Sequence, residues 1–166
     1  MTANPSILVG TANRTVWVRV EGKGTFLNST GLKDFSKEMI NRGYREFVVD
    51  LRNCPVMDST FMGTLAAIGL ALRGLGQGEL RAVNLNERNR DLLTNLGLDQ
   101  LFTLGGNEVP APVVPETPLE GTPADKLTQK QTMLEAHEAC VVADAGNAAK
   151  FKDVIEYLKQ DLRPAR

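Results

Sequence analysis

The sequence has few of the residues from which disulfide-stabilised or membrane proteins are built. Its 166 residues include only two cysteines, one histidine and one tryptophan, and 5% of them are aromatic. Two cysteines in a chain of this length do not form a disulfide framework. The longest uncharged stretch, residues 59–72, is shorter than the about 20 residues that a membrane-spanning helix requires. Neither class of protein is therefore expected.

The sequence also lacks an excess of charge of either sign. It has 19 lysines and arginines against 20 aspartates and glutamates, and its formal net charge is -1. The basic residues are interspersed with acids, so nucleic acid and anionic membrane surfaces are not expected partners. The N-terminal residues MTANPSILVG lack the charged and apolar regions of a secretory signal. A cytoplasmic protein is expected, without insertion into a membrane.

Changes in composition divide the chain into three parts. Residues 1–104 carry alternating strand and helix patterns, and they predict one domain. Residues 105–125 contain five of the eight prolines and little periodicity, and they predict an extended linker. Residues 126–166 return to helical periodicity and predict a helical hairpin. Two short helices seldom bury enough apolar area to stand alone, so this hairpin is expected to dock on the main domain or to pair with another chain, for example in a homodimer.

The order of elements in the first part predicts an α/β fold with a mixed sheet. The clean alternation of Val16, Val18 and Val20 is typical of a strand with one buried face. A helix capped by Ser29 or Thr30 is expected before residue 43. Further strands are expected at residues 7–9, 14–20, 47–51, 80–85 and 101–104, and further helices at 59–74 and 87–96. This order places crossover helices between parallel strands.

The C-terminal hairpin is expected to use one apolar stripe on each helix. In the first helix the stripe comprises Leu127, Met133, Leu134, His137, Cys140 and Val141, and in the second it comprises Phe151, Val154, Ile155, Leu158 and Leu162. Between the two helices, Gly146 and Asn147 are expected to supply the turn and a cap.

The stretch PVMDSTFMG, residues 55–63, carries three small polar residues at the start of an apolar segment. Asp58 is a favourable N-cap, because a carboxylate accepts the free N–H groups of the first turn. One interpretation is that the three residues only cap a helix. Another is that Ser59, at the positive end of the helix dipole, is a place where a phosphate is stabilised.

The helix that follows this stretch has one face of mostly small side chains. These residues are Ser59, Thr60, Gly63, Thr64, Ala67 and Ala71. A face of small residues lets another backbone or a partner surface come close. The alternative is that both faces of the helix are buried within the domain.

These residues resemble the sulfate-transporter and anti-sigma-factor-antagonist (STAS) domain. The family pattern runs from an apolar strand, here residues 47–51, through a loop into Asp-Ser-Ser/Thr-Gly-x-Gly at the start of a helix. Here Asp58, Ser59 and Thr60 match it, with Gly63 and Leu65 following. The resemblance extends over about residues 5–104. It implies a STAS-like mixed β-sheet with helices packed mainly on one face, to which the C-terminal helical hairpin is added.

The resemblance implies a bacterial anti-sigma-factor antagonist that works as a partner switch. An anti-sigma serine kinase would bind the unmodified chain and phosphorylate Ser59, and a serine phosphatase would restore the binding form. The implied partner-binding residues are Asp58, Ser59, Thr60, Phe61, Gly63 and Thr64. Asp58 would also orient the serine hydroxyl. An alternative is a STAS accessory subunit or scaffold of a transporter or signalling complex that is not phosphorylated.

Two positions depart from the family pattern. Phe61 stands where the family often has glycine, and Thr25 stands where an acidic residue usually follows the second strand. A bulky Phe61 either fills the core or alters the partner surface.

The sequence shows no catalytic or cofactor motif, so an enzyme is not expected. His137 and Cys140 could be metal ligands only with additional residues, and a packing role is the alternative. Ser59 and His137 are separated by the linker and would need an unusual geometry to form a nucleophile–base pair. Cys54 is expected to be a buried structural thiol rather than a redox-sensitive one.

Overall fold

The structure is a computed structural model that describes residues 6–105, 117–119 and 124–163. The strands are β1 (Ser6–Ala12), β2 (Thr15–Glu21), β3 (Glu46–Asp50), β4 (Glu79–Val83), β5 (Thr103–Leu104) and β6 (Thr117–Pro118). The helices are α1 (Phe26–Asn41), α2 (Ser59–Gly74), α3 (Glu87–Asn95), α4 (Lys126–Ala143) and α5 (Asn147–Asp161), with a 3₁₀ turn at Leu98–Gln100. The strands form one sheet in the order β5-β4-β3-β2-β1-β6.

The N-terminal strands form a tight hairpin. Asn13 and Arg14 connect β1 to β2 with φ angles of 52° and 65°, as a two-residue turn between twisted antiparallel strands requires. Along β2, the side chains of Val16, Val18 and Val20 are buried, as their alternation predicts. One face of this strand is therefore covered by the core.

The mixed sheet predicted from the element order is confirmed. β2, β3, β4 and β5 pair in parallel, whereas β1 pairs antiparallel with β2. The helices α1, α2 and α3 connect the successive parallel strands. β3 lies inside the sheet, and four of its five residues are buried. Its carboxyl end leads into the segment that carries the candidate site.

The prediction that Ser29 or Thr30 caps α1 is wrong. Thr25 is the N-cap, and it forms a capping box with Asn28. Thr25 has the extended backbone that a cap requires, with φ -137° and ψ 177°. The helix therefore begins at Phe26, and Ser29 and Thr30 are buried inside it.

Part of the predicted linker joins the sheet. Thr117 and Pro118 form β6 and pair antiparallel with Val9 and Leu8 of β1. Pro118 is tolerated there because β6 is an edge strand. Within the predicted linker, residues 106–116 and 120–123 lie outside the described residues.

The C-terminal helices α4 and α5 form a hairpin that docks on the main domain. α4 packs chiefly against α2 and also contacts α1 and α5. The predicted stripe is only partly correct, because Leu127 is 56% exposed. The buried residues of α4 are Thr132, Ala136, His137, Ala139 and Cys140. In the described part of the chain, every helix is too short or too polar to cross a membrane.

Asn147 attaches the hairpin to the main domain instead of capping α5. The N-cap of α5 is Gly146. The buried amide of Asn147 donates hydrogen bonds to the carbonyl oxygens of Leu96 and Cys140, at 2.8 and 2.9 Å. One side chain therefore connects α4, α5 and the end of α3.

We expect Asn147→Ala to lower the free energy of unfolding by about 1–3 kcal/mol, because it leaves two buried carbonyl groups without their donor. Asn95→Ala, at an exposed position, serves as the control and should change the free energy by less than about 0.5 kcal/mol. Urea unfolding of both variants measures the difference. Equal effects of the two substitutions would contradict the role given to Asn147.

Candidate functional site

The start of α2 is held by hydrogen bonds to the loop that follows β2. The N–H of Gly24 donates to the carbonyl oxygen of Val56 at 3.1 Å, and the N–H of Asp58 donates to that of Gly24 at 2.8 Å. Met57 forms an isolated parallel bridge with Gly24. These bonds fix the position of Ser59, which is the first residue of α2.

Asp58 caps two helices with one carboxylate. Its Oδ1 accepts the N–H of Phe61 in α2 at 2.8 Å, and its Oδ2 accepts the N–H of Phe26 in α1 at 2.9 Å. The negative charge lies at the positive ends of both helix dipoles. The cap predicted for α2 is confirmed. The hydrogen bond to α1 connects residues 32 positions apart, so it could not be predicted from the local sequence.

Ser59 is hydrogen-bonded to the only histidine of the chain. The Oγ of Ser59 lies 2.9 Å from Nε2 of His137 in α4. The other ring nitrogen, Nδ1, lies 2.6 Å from the carbonyl oxygen of Met133, which can only accept. Nδ1 therefore carries a hydrogen, and in the neutral ring Nε2 accepts the proton donated by the Ser59 hydroxyl. Asp58, by contrast, uses its carboxylate on backbone N–H groups.

The sequence predicted that Ser59 and His137 would need an unusual geometry to form a pair, and the structure places them within hydrogen-bond distance. The two residues are 78 positions apart, and they meet because the hairpin folds back on α2. His137 is also fixed by an edge-on contact with the ring of Phe151, with 4.8 Å between ring centroids. In the sequence, the only indication of this contact is that the single histidine lies on the apolar stripe predicted for α4.

The Ser59–His137 pair has the geometry of a nucleophile and a base, but its surroundings differ from those of a catalytic centre. The ring is oriented by a backbone carbonyl, not by a carboxylate. Catalysis would also need room for a substrate beside the serine. That side of α2 is occupied by α4, so we describe the pair as a contact between two helices.

The N-terminal half of the small-residue face of α2, around Gly63, is the surface on which α4 lies. A Cβ atom placed on Gly63 would be 2.2 Å from the carbonyl oxygen of Ala136, so only glycine permits this approach. Thr60 and Thr64 are buried, and the Thr64 hydroxyl donates to the carbonyl oxygen of Thr60 at 2.9 Å. The close approach predicted for this face is made by the C-terminal part of the same chain.

Phe61 lies in the core, and its side chain has no exposed area. Its ring packs on Gly24, where an added Cβ would lie 2.7 Å from the nearest ring carbon. Phe61, which stands where the family often has glycine, therefore fills the space that Gly24 leaves free. Thr25, the other departure, caps α1.

The two cysteines are buried thiols. Burial raises the pKa of Cys140 to about 11, and it also raises the pKa of Cys54. Both side chains are therefore protonated near neutral pH, which makes them poor nucleophiles and poor metal ligands. Among the described residues, no three His, Cys, Asp or Glu side chains come together to form a metal site.

Comparisons with known proteins agree with the architecture. The family model described as the STAS domain matches residues 6–111. A structure of a putative anti-sigma factor antagonist from Thermotoga maritima has a TM-score of 0.55 at 19% identity, and the alignment covers 58% of this chain and 83% of that one. None of the curated proteins matches the sequence.

Two further solved structures show the same fold. The anti-sigma factor antagonist SpoIIAA in its unphosphorylated form has a TM-score of 0.54 at 17% identity, with 60% of this chain and 87% of that chain covered. An anti-sigma factor antagonist from Mycobacterium paratuberculosis has a TM-score of 0.56 at 22% identity, with 63% and 90% covered. In each of these alignments, more than a third of this chain has no counterpart in the solved structure.

We expect Asp58→Ala to lower the free energy of unfolding by about 2 kcal/mol, because the cap of α2 and the hydrogen bond to the N–H of Phe26 are both lost and each contributes about 1 kcal/mol. Asp58→Asn keeps one carbonyl oxygen as an acceptor, so its loss should be about half as large. Urea unfolding at neutral pH measures both variants. A change of less than about 0.5 kcal/mol for Asp58→Ala would contradict the double cap.

We expect the effect of Gly24→Ala to depend on Phe61. In the native chain the added methyl group collides with the ring, and overpacking of this kind costs about 1–3 kcal/mol. In a Phe61→Ala background the same methyl group fills part of the cavity, so it should be neutral or stabilising. Unfolding free energies of the two single variants and the double variant test the coupling. The same loss in both backgrounds would show that the two residues are independent.

Proposed function

Because the chain belongs to the STAS domain family, we propose that it is an anti-sigma-factor antagonist that acts as a phosphorylation-controlled partner switch. The unphosphorylated chain binds an anti-sigma serine kinase, and phosphorylation of Ser59 ends this binding. A serine phosphatase restores the binding form. In this proposal the protein works by binding a partner and not as an enzyme.

The observation that carries the proposal is the position of Ser59. Its hydroxyl lies in the first turn of α2, directly after the Asp58 cap, and the residue is half-buried at the edge of the small-residue face. A partner that packs against this face would contact the hydroxyl. The similarity to three solved structures of antagonists or putative antagonists supports the fold that this role requires.

Phosphorylation at this position would change the interface by charge and by size. A phosphoserine carries about -1.5 to -2 charges near neutral pH. The carboxylate of Asp58 is the adjacent side chain and already occupies the positive ends of two helices. The new charge would therefore be repelled by Asp58, and a partner would have to desolvate it, so binding weakens.

The six residues predicted for the switch lie in different surroundings. Gly63, Thr60 and Thr64 lie on or within the small-residue face, and Ser59 and Asp58 are half-buried at its start. Phe61 is in the core. We propose that Phe61 acts on the partner surface indirectly, by fixing the position of the first turn of α2.

The test is phosphorylation in vitro with ATP and an anti-sigma serine kinase from the same organism. We expect phosphate on Ser59 by mass spectrometry and none on the Ser59→Ala variant. Thr60→Ala, which removes the adjacent hydroxyl, is the matched control and should still be phosphorylated. We also expect Ser59→Asp to weaken kinase binding at least about tenfold, a change of about 1.4 kcal/mol.

The proposal is wrong if phosphate never appears on Ser59, or if Ser59→Asp binds the kinase as tightly as the native chain does. The alternative, an accessory subunit or scaffold that is not phosphorylated, is favoured by the hydrogen bond between Ser59 and His137, which occupies the hydroxyl. Affinity purification distinguishes the two, because the alternative recovers a transporter component or scaffold in place of an ATP-binding kinase.

A further inference from the structure

The α4–α5 hairpin covers the surface through which the proposed switch would bind its partner. Along α2, the backbone of α4 reaches Gly63, where the space for a Cβ atom is already filled by the carbonyl group of Ala136. At the start of α2, His137 accepts the hydroxyl of Ser59. A second protein cannot make these contacts while α4 makes them.

The interactions at the edge of the hairpin are polar and specific. The hydroxyl groups of Thr30 in α1 and Thr132 in α4 are 2.9 Å apart and buried. On the surface, Lys33 of α1 forms an ion pair with Glu135 of α4, also at 2.9 Å. These contacts fix the register of α4 on α1 and α2.

The buried face of α4 is nevertheless composed of small or polar side chains. Thr132, Ala136 and His137 face the main domain, whereas the apolar residues Leu127 and Val142 are 56% and 72% exposed. Small side chains bury less apolar area than leucine or phenylalanine. The contact is therefore close but buries less apolar area than an apolar core of the same length.

From these contacts we propose that the α4–α5 hairpin is an intramolecular occupant of the partner-binding face of α2. While the hairpin is docked, Ser59 and the small-residue face are closed to a protein partner. They open when the hairpin leaves. This inference rests on the proposed function only in naming α2 as the partner surface.

Docking of the hairpin and phosphorylation of Ser59 oppose each other in this arrangement. The 2.9 Å hydrogen bond leaves no room for a phosphoryl group between Oγ and Nε2. Because coupling free energies are reciprocal, whatever docks the hairpin more tightly makes phosphorylation less favourable, and phosphorylation disfavours docking of the hairpin on a face that then carries the phosphate.

The two cysteines allow a direct test in the full chain. Cys140 lies on α4 and Cys54 in the core of the STAS domain, and both are buried. In Gly63→Ala, the added methyl group collides with Ala136 and should release the hairpin. We expect N-ethylmaleimide to label Cys140 at least about tenfold faster than in the native chain, with Cys54 unchanged. Site-resolved mass spectrometry measures the two rates.

Gly74→Ala is the matched control, since it lies on the same helix and a Cβ atom there meets nothing within 4 Å. It should leave both labelling rates unchanged. Gly63→Ala raises the intrinsic helix propensity of α2, so faster labelling of Cys140 would not result from a weaker helix. Unchanged labelling of Cys140, or equal acceleration at Cys140 and Cys54, would overturn the proposal.

A pair of charge variants tests the same release without changing α2. Glu135→Lys places a positive charge beside Lys33 and should raise the labelling of Cys140 about threefold, as expected for a surface ion pair. The charge-swapped variant Lys33→Glu/Glu135→Lys should restore the native rate. Equal rates in the single and double variants would contradict docking through this contact.

Accessibility at residue 59 separates this inference from the proposed function. In a Ser59→Cys chain, we expect maleimide to label residue 59 faster when Glu135→Lys is added and at the original rate in the charge-swapped background. No change would overturn the inference, whatever a kinase does. Conversely, the hairpin could open in these assays while no kinase modifies Ser59. That result would refute the phosphorylation switch but not the proposal that the hairpin occupies this face of α2.

Discussion

The carboxylate of Asp58 holds the N-terminal ends of two helices at once, and the geometry of the candidate site depends on it. One oxygen caps α2 and the other accepts the first N–H of α1, at 2.8 and 2.9 Å. Two helices that follow different strands therefore begin at one point. This shared anchor sets where Ser59 emerges and how the face of α2 is presented to α4.

The departures from the STAS pattern are accommodated inside the fold. Phe61 has the space it needs because Gly24 lacks a side chain. Thr25 takes over the start of α1 through a capping box. The residues that differ beside the serine thus alter internal packing, while the small side chains that contact α4 stay close to the family pattern.

Local patterns predicted much of the fold. Alternation identified β2, the apolar run identified β3, and the Asp58 cap placed α2 at Ser59–Gly74. Contacts between distant segments could not be predicted: β6 is only two residues long, and the Ser59–His137 bond depends on where the hairpin docks. The local pattern also gave a wrong cap for α1. Serine and threonine are good capping residues, and Ser29 and Thr30 lie four or five positions inside the helix, where the sequence alone does not distinguish them from a true cap.

The pairing of β6 with β1 shortens the connection between the sheet and the hairpin. Leu119 still donates to the carbonyl oxygen of Ile7, and α4 begins at Lys126, so only residues 120–125 separate the anchored edge from the helix. A short tether keeps a detached segment at an effective concentration of about millimolar. In the proposed mode of action, a partner that binds this face of α2 would therefore compete with a segment tethered beside it, and its apparent affinity would be lower than its affinity for the open face.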